Sequence, residues 1–102
     1  MLSLKSMISS SHKKAFKQFV ELCLAEKDNS LSMELFDLFF TSEEKEDLAT
    51  RYLIVQSLLN GEKTQRQMAK DLNVSISKIT RGSNELKRVN PKLIHYLKDK
   101  MR

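Results

Sequence analysis

The residues able to do chemistry concentrate in one stretch, "QRQMAKDLNVSISKITRGSN", residues 65–84. Gln65 and Arg66 open it with donors suited to phosphate oxygens, contacts that set register without reading sequence. Further on, Ile76, Ser77, Lys78 and Thr80 are of the types that meet base edges. Lys78 can donate to guanine O6 and N7, Ile76 can meet a thymine methyl, and Ser77 can donate or accept. Arg81 and Gly82 follow, inside the helix-patterned run "SKITRGSNELK", residues 77–87. A helix-interior glycine costs about 1 kcal/mol relative to alanine. In a chain with only two glycines that placement needs a reason. From the residues alone, the simplest is a kink in the helix.

Catalytic chemistry is not indicated. His12 falls near the N-terminus and His95 on the last helical segment, and neither has an acid or base partner at useful spacing. Cys23, the one cysteine, lies in an apolar helical stripe and reads as a packed thiol. A lone cysteine excludes an internal disulfide, and no Cys/His cluster has zinc spacing. The expectation is a protein that is no enzyme and binds no metal.

The elements that position residues 65–84 read as helices throughout. Residues 1–11 are serine-rich and aperiodic and read as a flexible N-terminal arm; residues 12–102 read as a single domain. Phe16, Phe19, Val20 and Cys23 recur at helical spacing over about 12–27. Ser30 and Ser32 offer N-caps to a second helix, "MELFDLFF". Thr41 with Glu44 forms a capping-box pattern that opens a third helix reaching Asn60, and Gly61 suits the left-handed residue just past its end. Thr64 with Gln67 is a second such box, starting a helix that ends near Leu72. Ser75 can cap the helix that follows. Asn90 can cap the last, with Pro91 at its first position, where a missing N–H costs nothing. The fold class is therefore all-α, with six helices.

The pair at about 64–88 has a helix–turn–helix pattern. Met68, Ala69, Leu72, Val74, Ile76 and Ile79 are apolar or small, Ala69 falls where crossing helices touch most closely, and Asn73 tolerates the positive φ of a tight turn. The second helix of such a pair can enter a DNA major groove. Charge agrees with this. The chain carries a net +5, yet residues 1–60 hold 7 Lys/Arg against 9 Asp/Glu, while residues 61–102 hold 11 against 4. A basic half on a mildly acidic one suits a polyanion partner. An ordinary lysine-rich surface, or a head that pairs with protein, is the alternative.

The third helix is more apolar than a surface helix needs. Leu48, Tyr52, Val55 and Leu59 form one stripe, which Leu53, Ile54 and Leu58 widen. A single chain of 102 residues has difficulty covering this together with the second helix, which suggests a partner subunit; the alternative is one compact bundle that hides it all. No apolar run approaches the ~20 residues of a membrane span. The start has no signal-peptide pattern, so the expected location is the cytoplasm.

Residues 40–87, "FTSEEKEDLATRYLIVQSLLNGEKTQRQMAKDLNVSISKITRGSNELK", resemble the tryptophan repressor family, with "ITRGSN" after the helix pair as the most specific part. That family is itself a standard example of helix–turn–helix docking. The resemblance implies a bacterial, cytoplasmic repressor: an intertwined homodimer of six-helix chains that binds operator double-stranded DNA, with L-tryptophan as corepressor and no membrane. It implies that the indole lies between Arg51 and Arg81, with Arg51 as a cation over the π face and Arg81 paired with the ligand carboxylate. Gly82 would then leave room for the ring. Thr41 would supply a hydroxyl to the carboxylate, and the backbone carbonyl of Leu38 would accept from the ammonium. Two positions depart from the family pattern. Glu85 stands where a small residue is usual; it can accept from the ligand ammonium, pair with Arg81, or point to solvent. The run "SISK" also differs, leaving the operator sequence open. A related repressor of another amino acid or indole-type ligand, or a ligand-independent DNA-binding protein, is the alternative.

Overall fold

The computed structural model describes residues 9–101, and these form six α-helices with no strand among them: α1 (Ser10–Ala25), α2 (Asn29–Phe39), α3 (Ser42–Asn60), α4 (Gln65–Leu72), α5 (Ile76–Leu86) and α6 (Pro91–Lys100). The chain divides into two compact units, the first ending at Thr41 and the second beginning at Ser42. Most of the expected arm lies outside the described residues. Its last part does not behave as an arm, because Ser9 caps α1 by accepting from the His12 backbone N–H, and the helix is under way at Ser10.

In the first unit the start of α2 differs from expectation. Neither Ser30 nor Ser32 is the cap; both lie inside the helix, and Asp28 caps it. The Asp28 Oδ1 atom accepts from Ser30 N at 2.9 Å, Leu31 N at 3.3 Å and the Ser30 hydroxyl at 2.8 Å. A carboxylate satisfies more orphan donors at a helix start than a hydroxyl does. The bond from the Ser30 hydroxyl, then those from the Leu31 and Ser30 amides, hold the Asp28 carboxyl below its usual pKa. Phe19 meets Phe39 and Phe40 at ring-centroid distances of 5.1 and 5.8 Å, and Phe36 meets Phe40 at 6.0 Å. No residue of α1 or α2 is buried despite this cluster.

The second unit has a small core of its own. Ile54 of α3, Met68 and Ala69 of α4, and Ile79 of α5 are buried together, with Leu58, Leu72 and Val74 packed against them. The buried line of α3 is thus Ile54 with Leu58, one turn apart. Of the stripe named from the sequence, Leu48 and Tyr52 are exposed, and Val55 and Leu59 are half-buried. The short helices α4 and α5 need only a narrow apolar line on α3, which leaves the wider stripe uncovered.

Local signals held at the joints. The Thr64–Gln67 capping box is complete, with Gln67 N donating to Thr64 Oγ1 at 3.1 Å and Thr64 N donating to Gln67 Oε1 at 3.2 Å. Asn73 ends α4 in the left-handed region with φ 54°, and Gly61 follows α3 with φ 66°. Ser75 accepts from Lys78 N at 3.3 Å, and Asn90 from Lys92 N at 2.8 Å, with Pro91 at the first position of α6.

Candidate functional site

The α4–α5 pair is held by its turn and its buried side. The Val74 amide donates to the Ala69 carbonyl at 2.9 Å, closing the end of α4, and three residues, Asn73–Ser75, connect it to α5. Ala69 and Ile79 then face the core at 6% and 0% exposure, so the opposite side of α5 must face outward. Ile76, Ser77, Lys78, Thr80 and Arg81 are all exposed, as is Arg66; Gln65 is half-buried. The structure thus presents every side chain expected to meet DNA on the second unit, and it joins two of them: Thr80 Oγ1 donates to Gln65 Oε1 at 3.1 Å.

Charge on this pair is one-sided. Asp71 is taken by Lys63 at 2.6 Å, and Glu85 lies 3.7 Å from Arg88. Arg66, Lys70, Lys78, Arg81 and Lys87 are exposed, and among the described residues no carboxylate lies within ion-pairing reach of them. Pairing the acids elsewhere leaves these cations exposed to solvent without a carboxylate partner, a pattern that would suit a polyanion.

The residues assigned to a small ligand fall into both units. Leu38, exposed, is near the end of α2, and Thr41 stands directly before α3; both belong to the first unit. Arg51, Arg81, Gly82 and Glu85 belong to the second. Gly82 does not break its helix, since α5 runs continuously from Ile76 to Leu86. A Cβ built on Gly82 would lie 3.1 Å from Ile54 Cγ2 and 3.4 Å from Leu58 Cδ1. The glycine therefore allows α5 to approach α3 closely. Arg51 lies one turn before Ile54, on the same face of α3, and Arg81 precedes Gly82 on α5. Neither guanidinium has an ion pair among the described residues. Glu85 is close to Arg88 instead of Arg81, with 71% of its side chain exposed.

Residues 14–101 match the Trp repressor protein family. The chain belongs to the Trp repressor family. It is 43% identical over 93 residues to a Trp operon repressor homolog of Chlamydia caviae, covering 91% of this chain and 92% of the relative. A Trp operon repressor homolog of Chlamydia trachomatis serovar D is 42% identical over 82 residues, 80% of this chain and 87% of the relative. One from Vibrio campbellii is 45% identical over 74 residues, 72% and 74% of the two chains. The all-helical fold with six helices is the one expected for the Trp repressor family.

Two features of this Trp repressor family chain were not read from its sequence. The seat of Gly82 on Ile54 and Leu58 was one; the i, i+4 spacing of those two was visible but hidden within a helix apolar on several sides. The Lys63–Asp71 bridge was the other. It joins a residue before the α4 cap to one near the end of α4, a pairing that no single helical period signals.

Proposed function

We propose that this protein is a DNA-binding transcriptional repressor that acts as a homodimer, takes L-tryptophan as corepressor and controls genes of tryptophan biosynthesis or uptake. The observation that carries the DNA-binding part is the unpaired cation cluster of α4 and α5 around exposed Ile76, Ser77 and Lys78. In this reading α4 and α5 form a helix–turn–helix. Ile76, Ser77 and Lys78 meet base edges in the major groove, Gln65, Arg66 and Arg81 meet phosphates, and Thr80 lies beside them. The name shared by the relatives supports the corepressor and the kind of gene.

The homodimer is supported by uncovered apolar surface. Fourteen large apolar side chains of the described residues are exposed, among them Phe16 at 68%, Leu24 at 78% and Tyr52 at 49%, against five buried hydrophobic residues. A soluble monomer rarely leaves so much apolar surface to water. A second copy that packs on α1, α2 and the free stripe of α3 supplies the missing core.

For the corepressor, the residues fit an aromatic amino acid. Two unpaired guanidinia, Arg51 and Arg81, suit a π face and a carboxylate. Gly82, the Thr41 hydroxyl and the Leu38 carbonyl join them only through the resemblance to the family pattern. Bound tryptophan would supply an indole ring that braces α5 against α3. A second reading, a repressor of another amino acid or indole-type ligand, rests on Glu85, exposed and only loosely held by Arg88.

Two measurements test this. Duplex affinity should fall steeply with salt: about three phosphate contacts per head, doubled in a dimer, give a log–log slope near −5. A flat salt response would favour a protein partner. A thermal-shift panel of amino acids and indole compounds should raise the melting temperature most with L-tryptophan. A larger shift with another ligand would favour the second reading.

A further inference from the structure

Gln65 and Thr80 both face the proposed DNA surface, yet each is partly spent on the other. Thr80 has one O–H, and it donates to Gln65 Oε1 at 3.1 Å. A glutamine amide otherwise offers both an acceptor and two N–H donors, and the two-point reading of adenine needs one of each. Oε1 keeps a second lone pair, but the bond holds it towards Thr80, so the two Nε2 donors are the part of the amide left to face outward. Outward donors suit a phosphodiester oxygen. We infer that Thr80 is a positioning residue that holds Gln65 with its amide outward as a phosphate anchor, and so fixes the backbone-contacting start of α4 against the base-facing start of α5.

Both ends of this clasp stand on fixed backbone. Gln65 is the first residue of α4 and directly follows Thr64, whose capping box with Gln67 is complete. Thr80 directly follows Ile79, which is fully buried at 0% exposure. What the hydrogen bond adds is the choice of side-chain rotamer and of which way the amide faces. In the free protein the bond is exposed and competes with water. Against a duplex that displaces this water, the same bond gains weight. While it donates inward Thr80 has only acceptor capacity left for a base edge or a water, which separates it from Ser77 and Lys78.

The inference rests on the DNA-binding reading, and the test separates the two. The probe is the duplex that the unmodified protein selects from a random-sequence library with L-tryptophan present. Affinity is measured by fluorescence anisotropy for the unmodified protein, Thr80→Val, Gln65→Ala and the double variant, with circular dichroism melts to confirm folding. Thr80→Ala replaces Thr80→Val should the latter fold poorly. Each single change is expected to weaken binding on the order of tenfold. The double variant should lose about the same tenfold, because either change alone already removes the positioned amide. Thr80→Ser, which keeps the donor, should bind within about threefold of the unmodified protein. The Gln65 Nε2 proton resonances should be dispersed in the unmodified protein and collapse towards free-glutamine positions in Thr80→Val. Losses that multiply in the double variant, or full affinity in Thr80→Val, overturn the clasp while the functional reading stands. Absence of salt-sensitive duplex binding by the unmodified protein overturns the functional reading and the clasp with it.

Discussion

Replacing Gly82 by alanine sets two stability terms against each other and leaves ligand binding to decide. Alanine in place of a helix-interior glycine gains about 1 kcal/mol. Against this, the new Cβ would lie 3.1 Å from Ile54 Cγ2, so something must give by a few tenths of an ångström. Its distance from Leu58 Cδ1, 3.4 Å, is ordinary contact. Ile54 is 4% exposed and β-branched in a helix, with one strongly preferred χ1 well, so it cannot swing aside. The adjustment falls on the spacing of α5 from α3. One misplaced methyl costs about 1 kcal/mol, the low end of overpacking penalties. The terms nearly cancel, and the expected stability change is within about 1 kcal/mol, a melting shift of no more than about 4–8 °C. In the proposed site the same methyl would shift α5, with Arg81, against α3, with Arg51, and calorimetric affinity for L-tryptophan should fall more than about tenfold, or 1.4 kcal/mol. An affinity within about twofold of the unmodified protein would refute the assignment of Gly82 to the ligand. A stability loss beyond about 2 kcal/mol would instead show that helix packing alone accounts for the glycine.

Other consequences are simpler. Thr64→Ala removes one half of the α4 capping box and should lower stability by about 1 kcal/mol, seen as a fall in melting temperature with the helical signal retained. Asp28 has a folded-state pKa below its usual value. Its contribution is therefore present above the unfolded pKa and is lost as pH falls through the lowered folded value, so acid unfolding below about pH 4 should be shallower in Asp28→Asn. Phe16 is 68% exposed in the single chain, where Phe16→Ser should change stability by less than about 0.5 kcal/mol. If a second copy covers it, the variant should shift sedimentation towards the monomer and make melting strongly dependent on protein concentration.

Much of this fold was legible because the chain marks its joints chemically. Thr64, Asn73, Ser75, Asn90 with Pro91, and Gly61 each have a local geometry that few residue types satisfy, and each does what its type implied. Helix α2 was misjudged at its start because Asp28 and two serines compete for one cap, and the outcome depends on which oxygen reaches most amides. Which line of α3 this chain buries was not legible, for a different reason. A helix apolar on several sides fits more than one period, and only packing against α4 and α5 selects Ile54 and Leu58. At the candidate site, residue types gave the exposed cations and polar side chains of α4 and α5. They did not give the partners: that Thr80 turns to Gln65, Glu85 towards Arg88 and Gly82 onto Ile54 depends on how helices meet, which sequence spacing within one helix does not encode.

The most direct test of the account is the affinity of the selected duplex with and without L-tryptophan, measured on the unmodified protein at fixed salt. A corepressor acts through a coupling free energy between its site and DNA, typically about 5- to 150-fold in affinity, and the coupling is reciprocal. Saturating L-tryptophan should therefore tighten duplex binding by at least about fivefold, and the duplex should tighten tryptophan binding by the same factor. Equal duplex affinity in the two conditions would contradict the account.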